Sequence, residues 1–371
     1  MFYFFFLLRL LLAFEKQAVY CTFETCRLEP SSIKIMKKLL YCLLLLLLTF
    51  PSSAQTDSLS LLASPKLTFF DTAPSFNKAR FWTITSIGVA GYSAVTIGLN
   101  QAWYANYPRS KFHSFDDWNG WRQMDKFGHA MTSYFESKWA GDLYRWAGLS
   151  RNQAAWVGFG TGLLFQTTLE IMDGFSEKWG FSWGDMGFNL LGSSLYLGQE
   201  LLWQEQRFRL KMSTHRPSYS TTPIQATNSN ATSSIHARTT ALFGNSIPEL
   251  LFKEYNGQTI WLSVNIASFL KNRPHGFPPP WINVAVGYGI ENVFGAESNT
   301  WEDKAGNSFT APAHYQRHSQ FFLSLDIDFE RIPTKHKWLK TIFGILNIFK
   351  VPFPTLEINT LGAVKFHPFY F

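Results

Sequence analysis

Cysteine is scarce in this chain: Cys21, Cys26 and Cys42 are the only three among 371 residues. Met36-Lys37-Lys38, the apolar run 39–50 and Pro51-Ser52-Ser53-Ala54-Gln55 form a basic n-region, an h-region and a small-residue cleavage site. They predict a secretory signal cut after Ala54, with Met36 as the true start and residues 1–35 as an over-extended leader. The mature chain then carries no cysteine, which excludes disulfide staples and thiol chemistry. Cys42 is unsuited to lipidation, because it precedes most of the apolar run and lacks small residues before it. Charge is sparse as well, at 16% of residues. Taking the six Lys/Arg and three Asp/Glu of residues 1–54 from totals of 33 and 26 leaves 27 and 23, a net charge of +4. With no dense basic run, and with export expected, nucleic acid is excluded as a partner. P-loop, dinucleotide, His-Glu-x-x-His and Gly-x-Ser-x-Gly signatures are all missing. Gly158-Phe159-Gly160-Thr161-Gly162 follows a helix start, so it serves packing rather than phosphate binding.

Apolar and aromatic residues are what the chain has in quantity: 46% hydrophobic, 17% aromatic and 36 Phe. At this length, two domains are expected. After a polar lead-in at 55–79, no charge occurs between Arg80 and Arg109. Segment 81–99 is long enough to span a hydrocarbon core of about 30 Å at about 1.5 Å per residue. Trp82, Trp103, Tyr104 and Tyr107 near its ends suit an aromatic belt, so a transmembrane helix is expected there. Segment 152–169 is also uncharged, and its Gly158-x-x-x-Gly162 permits close helix packing. Segment 127–146 carries Glu136, Lys138, Asp142 and Arg145, and so needs neighbours or an interfacial position. Together with the short apolar run 186–199, these segments predict a membrane-associated bundle of about four helices over 80–210.

Residues 211–236, rich in Ser, Thr and Asn, have the composition of a linker. Beyond them the period becomes two, predicting a β-rich domain over 237–371. Ile260, Leu262, Val264 and Ile266 share one face, as do Ile282, Val284, Val286, Tyr288 and Ile290. Phe321, Leu323, Leu325, Ile327 and Phe329 alternate with polar residues. With 248–255 and 355–366, the count is five or six antiparallel strands with one apolar face. The fold class is therefore α+β. The ending Phe369-Tyr370-Phe371 is similar to that of outer-membrane barrels, although single-chain bacterial barrels begin at eight strands. A helix near 335–350 carries an apolar stripe flanked by Lys335, Lys337, Lys340 and Lys350, suited either to a membrane interface or to covering the sheet.

Chemistry concentrates between Asp125 and Asn189. Helices over 124–146, 152–172 and 183–208, joined by short turns, run up, down and up. The start of the first, the end of the second and the start of the third then meet at one end. Asp125 and His129 share a helix face at i,i+4, Asp185 and Asn189 repeat that spacing, and Glu170 and Asp173 lie three apart. One imidazole, three carboxylates and an amide can hold a divalent metal or form a general acid/base pair. The same residues also suit plain structure: Ser182 with Asp185 is a capping-box pattern, and Asp125 is favourable near a helix N-terminus.

The pattern Asp125-Lys126-x-x-His129, an apolar helix ending in Glu170, and Ser182-x-x-Asp185-x-x-x-Asn189-x-x-Gly192 resembles VanZ-like membrane families. With Glu170-Ile171-x-Asp173-Gly174 in the same order, residues 80–208 resemble more closely the YfiM-like periplasmic lipoproteins of unknown function. The resemblance implies a site and its location but no activity, so whether the chain is an enzyme stays open. A structural or assembly role in the envelope is the leading expectation, with the cluster as interhelical glue. The rival is a metal-assisted or acid/base enzyme or binder acting on a lipid-linked or phosphate-bearing envelope substrate. In that rival, His129, Glu170 and Asp185 are catalytic, and Asp125, His129, Glu170 and Asp185 are the metal ligands. Lys126 contacts an anion, Asp173 and Asn189 orient, and Ser182 belongs to the binding set. A divalent metal is the cofactor these residue types admit. Membrane lipid, and other envelope proteins, are the expected partners, and the outer membrane is favoured over the inner.

Overall fold

A computed structural model describes residues 67–101, 108–270 and 276–371. The expected leader and signal segment lie outside the described residues. Residues Phe69–Phe371 fall in one compact unit. It is α+β, with seven α-helices and a six-stranded antiparallel sheet among the described residues.

Helix α1 (Lys78–Leu99) is capped by Asn77, whose side chain accepts the Arg80 N–H at 3.0 Å. Helices α2 (Met124–Trp146), α3 (Arg151–Gly174) and α4 (Trp183–Leu202) follow. Ser150 and Gln153 form a reciprocal capping box that starts α3. The turn before it uses Gly148 at φ 90°, where a Cβ would also meet the Ser75 carbonyl at 2.0 Å. Small residues let α2 approach both neighbours. A Cβ on Gly162 would lie 2.7 Å from the Ser133 carbonyl, and one on Gly192 2.0 Å from the Ala130 carbonyl.

The expected transmembrane helix over 81–99 is not borne out, for among the described residues no helix is long and apolar enough to cross a membrane. Thr83, Thr85, Ser86, Tyr92, Ser93 and Thr96 dilute the apolar character of α1. Two of them are committed to protein partners: Thr85 Oγ1 lies 2.9 Å from the Tyr144 hydroxyl, and the Tyr92 hydroxyl 2.6 Å from Thr168 Oγ1. Helix α4 also stops sooner than expected. The chain turns at Trp203 and enters strand β1 (Phe208–Thr214).

That strand overturns the linker expected over 211–236. Its last four residues belong to the main sheet, and β2 (Ile224–Gln225) pairs with β3 (Thr232–Ser233) further along. Helix α5 (Ile235–Phe243) places Ile235 against Phe294, Trp301 and Phe309, the last two lying in the paired strands β6 (Thr300–Glu302) and β7 (Ser308–Thr310). The strand expected over 248–255 is instead helix α6 (Ile247–Phe252). A Ser246/Glu249 capping box and a proline in the first turn set its direction.

The main sheet runs β1, β4 (Gln258–Val264), β5 (Ile282–Glu291), β8 (His318–Ile327), β9 (Phe353–Asn359) and β10 (Val364–Tyr370), with every pair antiparallel. The register aligns apolar residues in rows across all six strands. One row is Met212, Ile260, Tyr288, Phe321, Ile358 and Val364, and the next is Leu210, Leu262, Val286, Leu323, Leu356 and Phe366. Helix α2 covers the β1–β4 end of this face. Met124 packs with Met212 and Ile260, and the Phe127 ring lies 4.6 Å from that of Tyr288.

The opposite face is buried and mixes polar side chains with an apolar cluster of Trp261, Ala285 and Phe322. Lys211 and Asp326, both wholly buried, pair at 2.8 Å, and Arg209 meets Asp328 at 2.8 Å. Ser263 donates to Asp326 at 2.7 Å and accepts from Asn283 at 2.9 Å. These side chains are enclosed because the sheet rolls up. β4 and β10 are four strand spacings apart, roughly 19 Å in a flat sheet, yet the Tyr370 hydroxyl lies 3.0 Å from Thr259 Oγ1. The expected apolar face is present, and it is the convex one.

Helix α7 (Lys337–Leu346) occupies the amphipathic stretch expected near 335–350. Phe343 stacks on Phe329, while Trp338, Ile342 and Leu346 point outward.

Candidate functional site at the bundle end

Three consecutive residues with left-handed backbone, Trp121, Arg122 and Gln123 at φ 49°, 49° and 61°, deliver the chain into α2. Such angles cost energy for non-glycine residues and persist only when their surroundings enforce them. Here the sheet does so. The Tyr288 hydroxyl donates to the Arg122 carbonyl, and Arg122 Nε donates to Ser319 Oγ at 2.9 Å. Asp125 and His129 stand on the first turns of α2 as a result.

The other two helices bring their ends to the same place. Glu170 lies on the last full turn of α3, with Asp185 and Asn189 on the first two turns of α4. Ser182 caps α4 by accepting the Asp185 N–H at 3.0 Å, and its hydroxyl donates to Asp117 at 2.6 Å. The Ser182 N–H donates to Glu170 Oε2 at 3.2 Å, which ties the end of α3 to the start of α4. Segment 108–119 lies against this end. His113 accepts the Phe181 N–H on its carbonyl at 3.0 Å, and its Nε2 lies 2.7 Å from the Trp179 carbonyl.

His129 is the centre of the cluster. Its Nδ1 lies 3.1 Å from Asn189 Oδ1 and 3.7 Å from Glu170 Oε1, and its Nε2 lies 3.9 Å from Asp185 Oδ2. Asn189 as placed accepts from Nδ1–H, which leaves Nε2 directed toward Asp185. One donor atom each from Asp125, His129 and Asp185 lies within 4.8 Å of the others. Such a spread is compatible with ligands around one ion, and the 3.9 Å between His129 Nε2 and Asp185 is too long for a hydrogen bond. Asn189 Nδ2 is buried and has no hydrogen-bond partner among the described residues.

The expected residues are therefore gathered together, with two differences of role. Glu170 stands on the Nδ1 side of the imidazole rather than with the three donors. Lys126 is no anion contact, because it is 1% exposed and held between Asp117 at 2.8 Å and Asp185 at 3.1 Å. Asp173 sits in the last turn of α3, where its charge acts on Glu170. Sequence reasoning missed Asp117, Glu136 and Tyr255. The Tyr255 hydroxyl donates to Asp125 at 2.5 Å across 130 positions, a contact without any local signal. Glu136 was visible as one of the charges in an apolar helix; it lies seven residues after His129 and accepts from Gln166 at 2.9 Å.

Burial and mutual repulsion shape the charges. Burial pulls the His129 pKa down, but the carboxylates of Asp125, Asp185 and Glu170 outweigh it and raise it to about 9. Burial raises Glu170 to about 8 against the pull of His129, and raises Glu136 to about 8 against its bond from Gln166. Asp185 rises to about 6, chiefly through burial, with His129 opposing. Burial would raise Asp117 too, but its bonds with Lys126 and Ser182 hold it below the usual range. Acid side chains that hold protons near neutrality beside a protonated imidazole mark a site short of positive charge.

Residues 115–198 match the family model described as "Predicted periplasmic lipoprotein (DUF2279)". The stretch similar to this lipoprotein family contains every side chain of the cluster except Tyr255. The similarity supports a periplasmic, cell-envelope setting and carries no reaction with it. No curated protein and no solved structure matches the chain.

Proposed function

We propose that this is a cell-envelope protein that binds a divalent cation at the bundle end through Asp125, His129 and Asp185, and that the cation serves structure. The observation carrying this reading is the His129 ring. Asn189 engages one nitrogen, and the other is directed toward the carboxylates with no hydrogen bond of its own to them. An imidazole with two carboxylates suits Zn²⁺ or Mn²⁺. Binding would displace the imidazole proton and supply the positive charge that the crowded carboxylates lack. It would also fasten α2 to α4, and through the Asp125–Tyr255 bond to the segment leading into β4. This agrees with a structural or assembly role in the envelope.

A catalytic use of the same pocket has one observation in its favour: Glu170, with a pKa of about 8, stands beside His129 as an acid or base poised near neutrality. One experiment separates the readings. Metal content and thermal unfolding are measured on the full chain in detergent, beside Asp125→Asn, with and without chelator. A bound metal that is lost in the variant, with a lower melting temperature after chelation, supports the structural cation. Metal loss without any change in melting favours the catalytic use. Absence of metal, together with no shift on adding Zn²⁺ or Mn²⁺, defeats both metal readings.

A further inference from the structure

The main sheet is inverted relative to a sheet in water. Antiparallel sheets of water-soluble domains turn apolar residues to the core and polar ones outward. Here the concave side holds the Lys211–Asp326 and Arg209–Asp328 pairs, while the convex side is apolar. Helix α2 covers the convex face over β1, β4 and the Tyr288 end of β5. Beyond that cover the face is open: Val286, Phe321, Leu323, Leu325, Leu356 and Ile358 are each between 38% and 52% exposed. Phe366 on β10 extends the patch to the sheet's edge at 66%. No charged residue interrupts these rows, because Lys365 and Glu357 occupy the alternate positions of the strands.

We propose that this convex face of β5, β8, β9 and β10 rests in the hydrocarbon of one leaflet of a lipid bilayer. Apolar outside with polar inside is the pattern of a sheet surrounded by lipid. Its dimension selects one leaflet. From Phe321 to Leu325 the apolar band runs about 14 Å at about 3.4 Å per residue, roughly half of a 30 Å hydrocarbon core. Charge fits as well: α7 exposes Trp338, Ile342 and Leu346 beside exposed Lys335 and Lys340, the combination of an interfacial helix over anionic headgroups. A protein partner is less well matched, since a face with no charge along its rows offers no polar rim to set a register.

The test reads the face itself, because the apolar run 39–50 can hold the chain on vesicles whatever the sheet does. Cys21, Cys26 and Cys42 are replaced by serine in the full chain, and a single cysteine is placed at Leu323→Cys or, separately, at Ile358→Cys. Each is labelled with an environment-sensitive fluorophore. In phosphatidylcholine/phosphatidylglycerol vesicles, both labels should shift to the blue and lose most of their emission to doxyl-labelled lipid. A label at Lys304→Cys, in the turn between β6 and β7, should do neither. Circular dichroism matching the parent chain establishes that each variant folds. Labels at 323 and 358 that keep their emission in doxyl vesicles overturn the proposal. Labels shielded from aqueous quencher without lipid, and untouched by doxyl lipid, also overturn it and assign the face to a second copy or to another segment of this chain.

Discussion

Lys126 shows how much of the cluster is held by charge balance. Its ammonium lies 1% exposed between two carboxylates, and burial, which alone would lower its pKa, is outweighed by Asp117 and Asp185 so that the value rises. Lys126→Met leaves Asp117 without a counter-ion and Asp185 with His129 alone, and breaking a buried pair typically costs about 3–5 kcal/mol. Urea unfolding should show a loss of that order, and a loss below roughly 1 kcal/mol would mean that the ion pair is solvated. In the proposed cation site, Asn189 would act through His129, which it contacts at 3.1 Å, rather than by direct ligation. Asn189→Ala should weaken Zn²⁺ binding roughly ten- to a hundredfold, the usual effect of removing an outer partner of a histidine ligand. Titration calorimetry checks this, and unchanged affinity would remove Asn189 from the site. Most of these residues were legible in the sequence, because i,i+4 and i,i+3 spacing fixes a helix face before any fold is known. Asp117 and Tyr255 were not, since an acid in an irregular segment and a tyrosine 130 positions from its partner have no periodic signature. The role expected of Lys126 failed for a related reason. A lysine next to a carboxylate-rich site has the same sequence appearance whether it is free or already paired.

Among the elements, the starts of α3 and α4 were legible, because caps at Ser150 and Ser182 and the turn at Gly148 are local chemistry, while the end of α4 was placed six residues too late. Length misled at α1, where six hydroxyl-bearing side chains make a helix of spanning length too polar to cross. Alternation misled at α6, where a capping box and an early proline override the strand-like pattern. The α2–α4 contact is close enough to predict from geometry. Gly192→Ala would put a methyl 2.0 Å from the Ala130 carbonyl, and forcing the helices apart should cost about 1–3 kcal/mol as overpacking does. Gly187→Ala is the control, because nothing lies within 4 Å of its added methyl. In that variant helix propensity should leave stability equal or slightly raised. Equal melting temperatures for the two variants would refute the close packing.

At the scale of the whole molecule, a second ionic centre joins the bundle to the sheet. Glu330 meets Lys138 of α2 at 2.9 Å and Arg209 of β1 at 3.0 Å, while Lys138 also pairs with Asp142 and Arg209 with Asp328. Burial would raise Glu330, but the two cations outweigh it and bring it to about 2. A carboxyl depressed on folding adds stability above its unfolded value of about 4.5 and loses it as the pH falls toward about 2. The melting temperature should therefore drop across that window, and Glu330→Gln should flatten the drop. An identical acid limb in the variant would assign the loss to other carboxyls. The α+β class and the apolar strand face were legible from periodicity. Which side of the sheet faces out was not, because alternation marks two faces without saying which is convex. The contact of Tyr370 with Thr259 across the roll marks the concave side.

The Asp125–Tyr255 bond also sets an order in time. A ribosome delivers the N-terminal half first, so α2, α3 and α4 can pack together while Asp125 still lacks its tyrosine. Its hydroxyl arrives 130 residues after the acid it serves, followed by the strands whose tyrosine and serine brace the left-handed entry to α2. The pocket thus draws on both halves of the chain. A chain truncated just past α4 would keep the acids and imidazole of α2, α3 and α4 but lack Tyr255 and the strand residues that brace the entry to α2.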